Sequence, residues 1–353
     1  MTGSPPRPDA GLDSLADRNP RVPPEQLVAE LVPPPRFADV RFSTYVPSPE
    51  HPSQAEAVAG MSAFGEAVVR GDSGRKGLFR RRSAPSGPPG MYLDGGFGVG
   101  KTHLLSSLYH QVVTEGGRTA AYGTFVEYTN LVGALGFLPA VEALAPHHLV
   151  CIDEFELDDP GDTVLMSRLM RELVDRGVRL AATSNTLPGA LGEGRFAAQD
   201  FQREIQALAG QFAVQRVDGE DYRHRGLPAA PAPLSDEDVR RVAAGREGAT
   251  FDTFSRVLSH LADVHPSRYG AMVGSTSAVC LQDVGTVSDQ MVGLRLVVLA
   301  DRLYDRDIPV VASGVPFDSV FTEELLGGGY RKKYLRAVSR LSALARDGAA
   351  LAG

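Results

Sequence analysis

Several features are missing from these 353 residues, and each absence closes off a class of answer. No stretch of about 18 consecutive apolar residues occurs, so a membrane-spanning helix is not expected. No charged segment followed by an apolar run stands at the N-terminus, so the expected location is the cytoplasm. Cysteine is scarce. The two present, Cys151 and Cys280, lie in separate apolar runs. That spacing fits neither a metal cluster nor a disulfide framework, and both read as small buried hydrophobes in a reducing compartment. Basic excess is missing too. The formal net charge is −7, which argues against wholesale nucleic-acid binding while leaving room for a local basic patch. No internal repeat is evident. What remains, 43% hydrophobic and 22% charged residues, is the composition of a globular chain long enough for two domains.

The most informative stretch is Gly95-Gly96-Phe97-Gly98-Val99-Gly100-Lys101-Thr102, which fits G-x-x-x-x-G-K-[ST]. Gly90-Met91-Tyr92-Leu93 before it reads as a short buried strand. Leu104, Leu105 and Leu108 after it have helical spacing. Strand, glycine loop and helix are the context this motif needs. The glycines let the backbone curl and turn its N–H groups toward phosphate oxygens, and the helix adds the positive end of its dipole. Lys101 supplies a point charge for the β- and γ-phosphates, and the Thr102 hydroxyl can hold Mg²⁺. The bland alternative is a glycine-rich turn, which does not account for Lys-Thr in place on correct flanks.

About 50 residues later, His148-Leu149-Val150-Cys151-Ile152 is an apolar strand of the kind buried on both faces of a parallel sheet, and it ends in Asp153-Glu154. Asp153 is placed to hold Mg²⁺. Glu154 is placed to polarise an attacking water. A further strand, Val178 to Ser184, ends at Asn185, which reads either as a polar group beside the γ-phosphate or as a turn residue ahead of Pro188. Strands at Arg118–Gly123 and Phe212–Val217 complete a set of five. The predicted fold is α/β: a P-loop NTPase of the AAA+ type, with a five-stranded parallel sheet flanked by helices and a smaller α+β C-terminal domain.

The rest of the chain divides around that core. Residues 1–40, rich in Pro, Asp and Arg, predict a disordered tail with one short helix near Glu25 to Leu31. Residues 41–88 hold an extended aromatic segment (Arg41 to Pro47), a helix opened by Pro52, and a basic run from Arg75 to Arg82. Gln54 on that helix either reads an adenine edge with its two-faced amide or is a surface residue. The basic run either touches phosphate, an anionic surface or an acidic partner, or is a solvated loop. Residues 89–226 form the ATPase core. Pro and Ala around 227–233 mark a linker. The C-terminal domain, 227–353, predicts helices near 235–244 and 251–263, strands at 278–281 and 308–313, and helices over 287–304 and 330–345.

The chain resembles the ZapE family, also called AFG1-like ATPases. The matching text is Gly95 to Thr102, Asp153-Glu154-Phe155, Arg168-Leu169-Met170, Ala182-Thr183-Ser184-Asn185, Asp221-Tyr222-Arg223, Leu303-Tyr304-Asp305 and Arg336 to Leu341. The phosphate loop is shared by many ATPases. Asp-Glu-Phe, Thr-Ser-Asn and Asp-Tyr-Arg in this order are far more specific. The resemblance implies Mg²⁺-dependent ATP hydrolysis coupled to remodelling of a partner protein, with the division polymer FtsZ as the bacterial candidate, and ATP-promoted homo-oligomers. It also implies an arginine finger, for which Arg195 and Arg203 are the candidates. Two places depart from the family pattern: Ala121 to Val126 stands where the family carries a His-Phe-His-like run, and Gly194-Arg195-Phe196-Ala197 stands where it carries Gly-Leu-Gln-Arg. Other readings of the same core are a helicase-loader-type ATPase on nucleic acid, a nucleotide switch without turnover, and a small-molecule kinase. The acidic net charge weighs against the first, Glu154 against the second, and the pairing of Asp-Glu with a strand-end Asn against the third.

Overall fold

A computed structural model describes residues 11–71, 88–96, 98–155, 160–187, 206, 209–219 and 230–352. The chain divides into two compact units.

The larger unit, residues 23–226, is built on five parallel strands: β1 (Gly90–Gly95), β2 (Ala120–Thr124), β3 (Leu149–Asp153), β4 (Arg179–Ser184) and β5 (Phe212–Val217). Their order is β2-β3-β4-β1-β5. The central strands are apolar almost throughout because side chains leave both faces of the sheet into packed layers. Leu93, Cys151, Ala181 and Tyr122 enter one core with Met61, Leu104, Leu105 and Leu108. Tyr92, Ile152, Ala182 and Ala121 enter the other with Tyr128, Phe155, Met166 and Leu169. β5, at the edge, is buried only at its ends, Phe212 and Val217, and leaves Val214 exposed.

Helices connect the strands and cover those faces. They are α1 (Pro24–Ala29), α2 (Pro52–Arg70), α3 (Lys101–His110), α4 (Phe125–Leu135), α5 (Phe137–Leu144) and α6 (Pro160–Asp175). α2 has Pro52 in its first turn and ends at Gly71 in a left-handed cap. α4 begins with a capping box, Thr124 and Glu127. β1 lies between β4 and β5, so the crevice beyond the carboxyl ends of the strands opens where the strand order reverses, the usual ligand position in such sheets.

The smaller unit, residues 1–22 and 227–353, has three parallel strands in the order β6-β7-β8: β6 (Ala249–Thr253), β7 (Ala278–Val284) and β8 (Val310–Gly314). Its longer helices are α7 (Asp236–Gly245), α8 (Phe254–Asp263), α9 (Gln290–Asp305) and α10 (Arg331–Ala349). The expected helix over 251–263 is shorter than predicted. Ala249 to Thr253 pairs with β7, and the helix starts only at Phe254, with Thr253 as its N-cap. The β-branched and aromatic residues Thr250, Phe251 and Thr253 carry a strand signal that Asp252 weakens and the strong helical text after them obscured.

The tail expected over residues 1–40 is also corrected by the described residues. Asp13 forms a parallel bridge with Thr250 and accepts the Phe251 N–H at 2.8 Å. Leu15 is fully buried in the smaller unit's core. In the larger unit the Leu31 carbonyl accepts the Tyr122 N–H at 2.8 Å and so covers the free edge of β2. Composition pointed to disorder because it averages over residues. A few apolar side chains and an exposed strand edge are enough to order a polar segment.

Candidate functional site

The site starts at the foot of β1. Gly95 closes that strand in register with Val217, and the loop turns through Gly98 and Gly100, both in the left-handed region (φ 71° and 87°). Only glycine adopts that pair of conformations without strain, and turns of this kind are the ones in which successive N–H groups form an anion-binding concavity. Gly100 has a second constraint. The ring of Tyr45 lies against it, so that a Cβ there would meet the ring at 2.5 Å. Tyr45 also donates its hydroxyl to the Val99 carbonyl at 2.7 Å, and its ring meets His103 edge-on. The aromatic segment expected before α2 therefore buttresses the loop, a role that an isolated Tyr in the sequence did not signal.

Lys101, the first residue of α3, is nearly buried. Its ammonium donates to the carbonyls of Gly95 (2.8 Å) and Gly96 (2.5 Å) and to Oδ1 of Asn185 (2.9 Å). Asn185 follows β4, and Tyr92 of β1 donates its hydroxyl to the next carbonyl, that of Thr186, at 2.7 Å. The strand-end amide predicted from sequence thus meets the lysine of the loop directly.

Asp153, at the end of β3, is buried. Its carboxylate accepts from the Tyr122 hydroxyl (2.8 Å), the Thr183 hydroxyl and the Glu154 N–H (3.1 Å). Burial, and then the neighbouring Glu154 charge, push the Asp153 carboxyl above the usual carboxylate range, while the hydroxyl donors work in the opposite direction. Burial and the Asp153 charge likewise hold Tyr122 well above the usual phenol range, so it stays a donor. Glu154 is half-buried and has φ 52°. A non-glycine residue in that region costs about 1–3 kcal/mol, and such residues cluster at functional sites. Phe155 then returns to the core, fully buried against Tyr92 and Phe125. In Asp-Glu-Phe the first residue is held, the second is presented and the third anchors the turn.

Gln54 is 2% exposed. Its amide oxygen accepts the Ser48 N–H, and its amide nitrogen donates to the Asp218 carbonyl, each at 2.8 Å. The two-faced amide offered to an adenine edge is instead spent on the protein backbone, where it ties the segment before α2 to the end of β5. Phe97, Arg195 and Arg203, the basic run over 75–82 and the motif at 221–223 lie outside the described residues.

The residues present suit a nucleotide with its metal. The loop offers N–H groups and a lysine to phosphate, and Thr102 with Asp153 offers the oxygen donors that Mg²⁺ prefers.

A family model for the AFG1-like ATPases matches residues 21–239 and 233–350. The chain belongs to that family. Cell division protein ZapE of Escherichia coli K12 is 27% identical over 71% of this chain and 76% of its own length. A protein of Schizosaccharomyces pombe described as C115.02c is 29% identical over 39% of this chain and 34% of its own length. Among solved structures, AMPPCP-bound DnaA from Aquifex aeolicus is 12% identical at a TM-score of 0.39, over 53% of this chain and 52% of that one. The family's C-terminal motifs sit in the smaller unit, where Asp301 of α9 receives Arg336 (2.9 Å) and Arg340 of α10. They hold two helices together. No helix among the described residues is long and apolar enough to cross a membrane.

Proposed function

We propose that this protein hydrolyses ATP with Mg²⁺ and uses the cycle to remodel a partner protein. One observation carries the reading. Lys101 at the start of α3 donates to Asn185 after β4 at 2.9 Å, although the two come from motifs far apart in sequence. Phosphoryl transfer to water needs little covalent chemistry from the protein; it needs positioning and charge stabilisation. Lys101 grips the phosphates. Thr102 and Asp153 hold the metal, which neutralises phosphate charge when bound. Glu154 takes the proton of the attacking water. Asn185, already in contact with Lys101, orients the γ-phosphate side. An arginine from a second copy, Arg195 or Arg203, completes the charge stabilisation in an ATP-promoted oligomer.

The partner proposal rests on family membership and on a relative described as a cell division protein. The division polymer FtsZ is the candidate. Phosphate release with and without that polymer tests both parts. Lys101→Ala loses nucleotide binding if the phosphate grip is correct, and retention of wild-type ATP affinity overturns it.

A further inference from the structure

Asp153 and Glu154 are consecutive residues, and one hydroxyl touches both. Thr183 Oγ1 donates to Asp153 Oδ1 and accepts the Glu154 N–H at 3.1 Å. The Thr183 carbonyl accepts the Phe155 N–H at 2.7 Å. Thr183 is 1% exposed. The ladder joining β3 to β4 runs from Leu149 and Arg179 to Ile152 and Ala182. Thr183 therefore stands one step beyond it, where its side chain bonds Asp153 and Glu154 while its backbone carbonyl still holds Phe155. At that step the chain enters the left-handed turn at Glu154, a conformation that persists only when its surroundings over-determine it.

We propose that Thr183 is a positioning residue for hydrolysis. Its hydroxyl locks the Glu154 turn and fixes the rotation of the Asp153 carboxylate, so that the water-activating and metal-holding groups share one brace. Tyr122 steadies the other oxygen of Asp153 at 2.8 Å, and Thr183 bonds to both residues. The inference rests on the ATPase reading above. Supporting groups of this kind change metal affinity or activity by roughly 10- to 100-fold when removed.

The test compares Thr183→Val, which keeps the shape and loses the hydroxyl, with Thr183→Ser, which keeps the hydroxyl. The readouts are kcat, KM, and the affinity of a fluorescent ATP analogue with and without Mg²⁺. The expected result for Thr183→Val is a roughly 10-fold or larger loss of kcat and a smaller gain in nucleotide affinity on adding Mg²⁺, with Mg²⁺-free affinity within about threefold of wild type. Thr183→Ser restores most of both. Wild-type kcat and Mg²⁺ response in Thr183→Val overturn the inference, as does a failure of Thr183→Ser to rescue, since lost packing would account for that. If Thr183→Val does not fold, Thr183→Ala against Thr183→Ser makes the same comparison. Glu154→Gln is measured alongside. If it turns over ATP at the wild-type rate, the ATPase reading through Glu154 fails. If it is inactive while Thr183→Val is normal, only the role of Thr183 fails.

Discussion

Asp301 in the smaller unit and Asp153 in the larger are both held by several donors, and the two are treated in opposite ways. In the smaller unit, Asp301 faces the guanidinium groups of Arg336 and Arg340. Burial works to raise its carboxyl, but the two arginines prevail and hold it below the usual carboxylate range. In the larger unit, Asp153 is given neutral donors: a threonine hydroxyl, a phenol and an N–H. Its carboxyl moves up. A carboxylate already matched by cations is a joint between helices. One supplied with dipoles and no matching cation is suited to receive a cation from outside. The same side chain serves architecture in one unit and, in the proposed function, chemistry in the other, and what differs is the charge of its neighbours.

The comparison can be broken most decisively at the larger unit. Glu154→Gln keeps shape and hydrogen bonding while removing the base. Turnover is expected to fall roughly 10²- to 10⁴-fold with ATP binding and thermal unfolding near wild type. Phosphate release and a binding titration check this.

The reverse pattern is expected at Asp301. Asp301→Ala removes the carboxylate that Arg336 and Arg340 share and is expected to destabilise the smaller unit by about 3–5 kcal/mol, measured by urea unfolding, with ATP binding retained. The pH dependence has a definite sign. Because the folded carboxyl lies below its unfolded value, its contribution is present above about pH 4 and is lost as pH falls through the folded value. Asp301→Ala removes that part of the acid sensitivity. Loss of ATP hydrolysis in Asp301→Ala with stability unchanged would contradict the assignment of Asp301 to architecture.

A smaller effect of the same kind is expected at Leu15. It is fully buried in the core of the smaller unit, and around it Ser14 and the Leu15 N–H bond to Asp252 at 2.6 and 2.7 Å. Leu15→Ala is expected to cost roughly 2–5 kcal/mol. Unchanged unfolding would return this segment to the status of a tail.

The smallest effect is expected for Arg80, Arg81 and Arg82 together. Changing them to Ser is expected to leave basal ATPase within about twofold, because the catalytic groups named here are supplied by β1, α3, β3 and β4. A collapse of the basal rate would place the basic run in the site.

Much of the larger unit was legible in advance, for a physical reason. A phosphate loop is a local object: Gly98, Gly100, Lys101 and Thr102 are close in sequence because they must be close in space, so the motif survives reading in one dimension. Asp153 and Glu154 were legible because a strand buried on both faces is apolar until its end, and polar residues there stand out. The arithmetic of Pro and charge misled at Asp13 to Arg18, where Leu15 and one strand edge outweigh composition. Gln54 was recognised as a two-faced amide, but nothing local indicated that Ser48 and Asp218 take both faces.

The sequence by itself determined the class of chemistry and the parallel sheet that carries it, since glycine spacing, strand hydrophobicity and the acid pair are all short-range signals. Only the tertiary structure decided who holds whom. Tyr45 supports Gly100, Asn185 meets Lys101, and Thr183 joins Asp153 to Glu154. It also decided that Asp301 faces arginines while Asp153 faces hydroxyls. These are contacts between residues far apart in the chain, chosen by the register of neighbouring strands and the packing of helices on them. No periodicity or motif along the chain encodes such pairings one residue at a time.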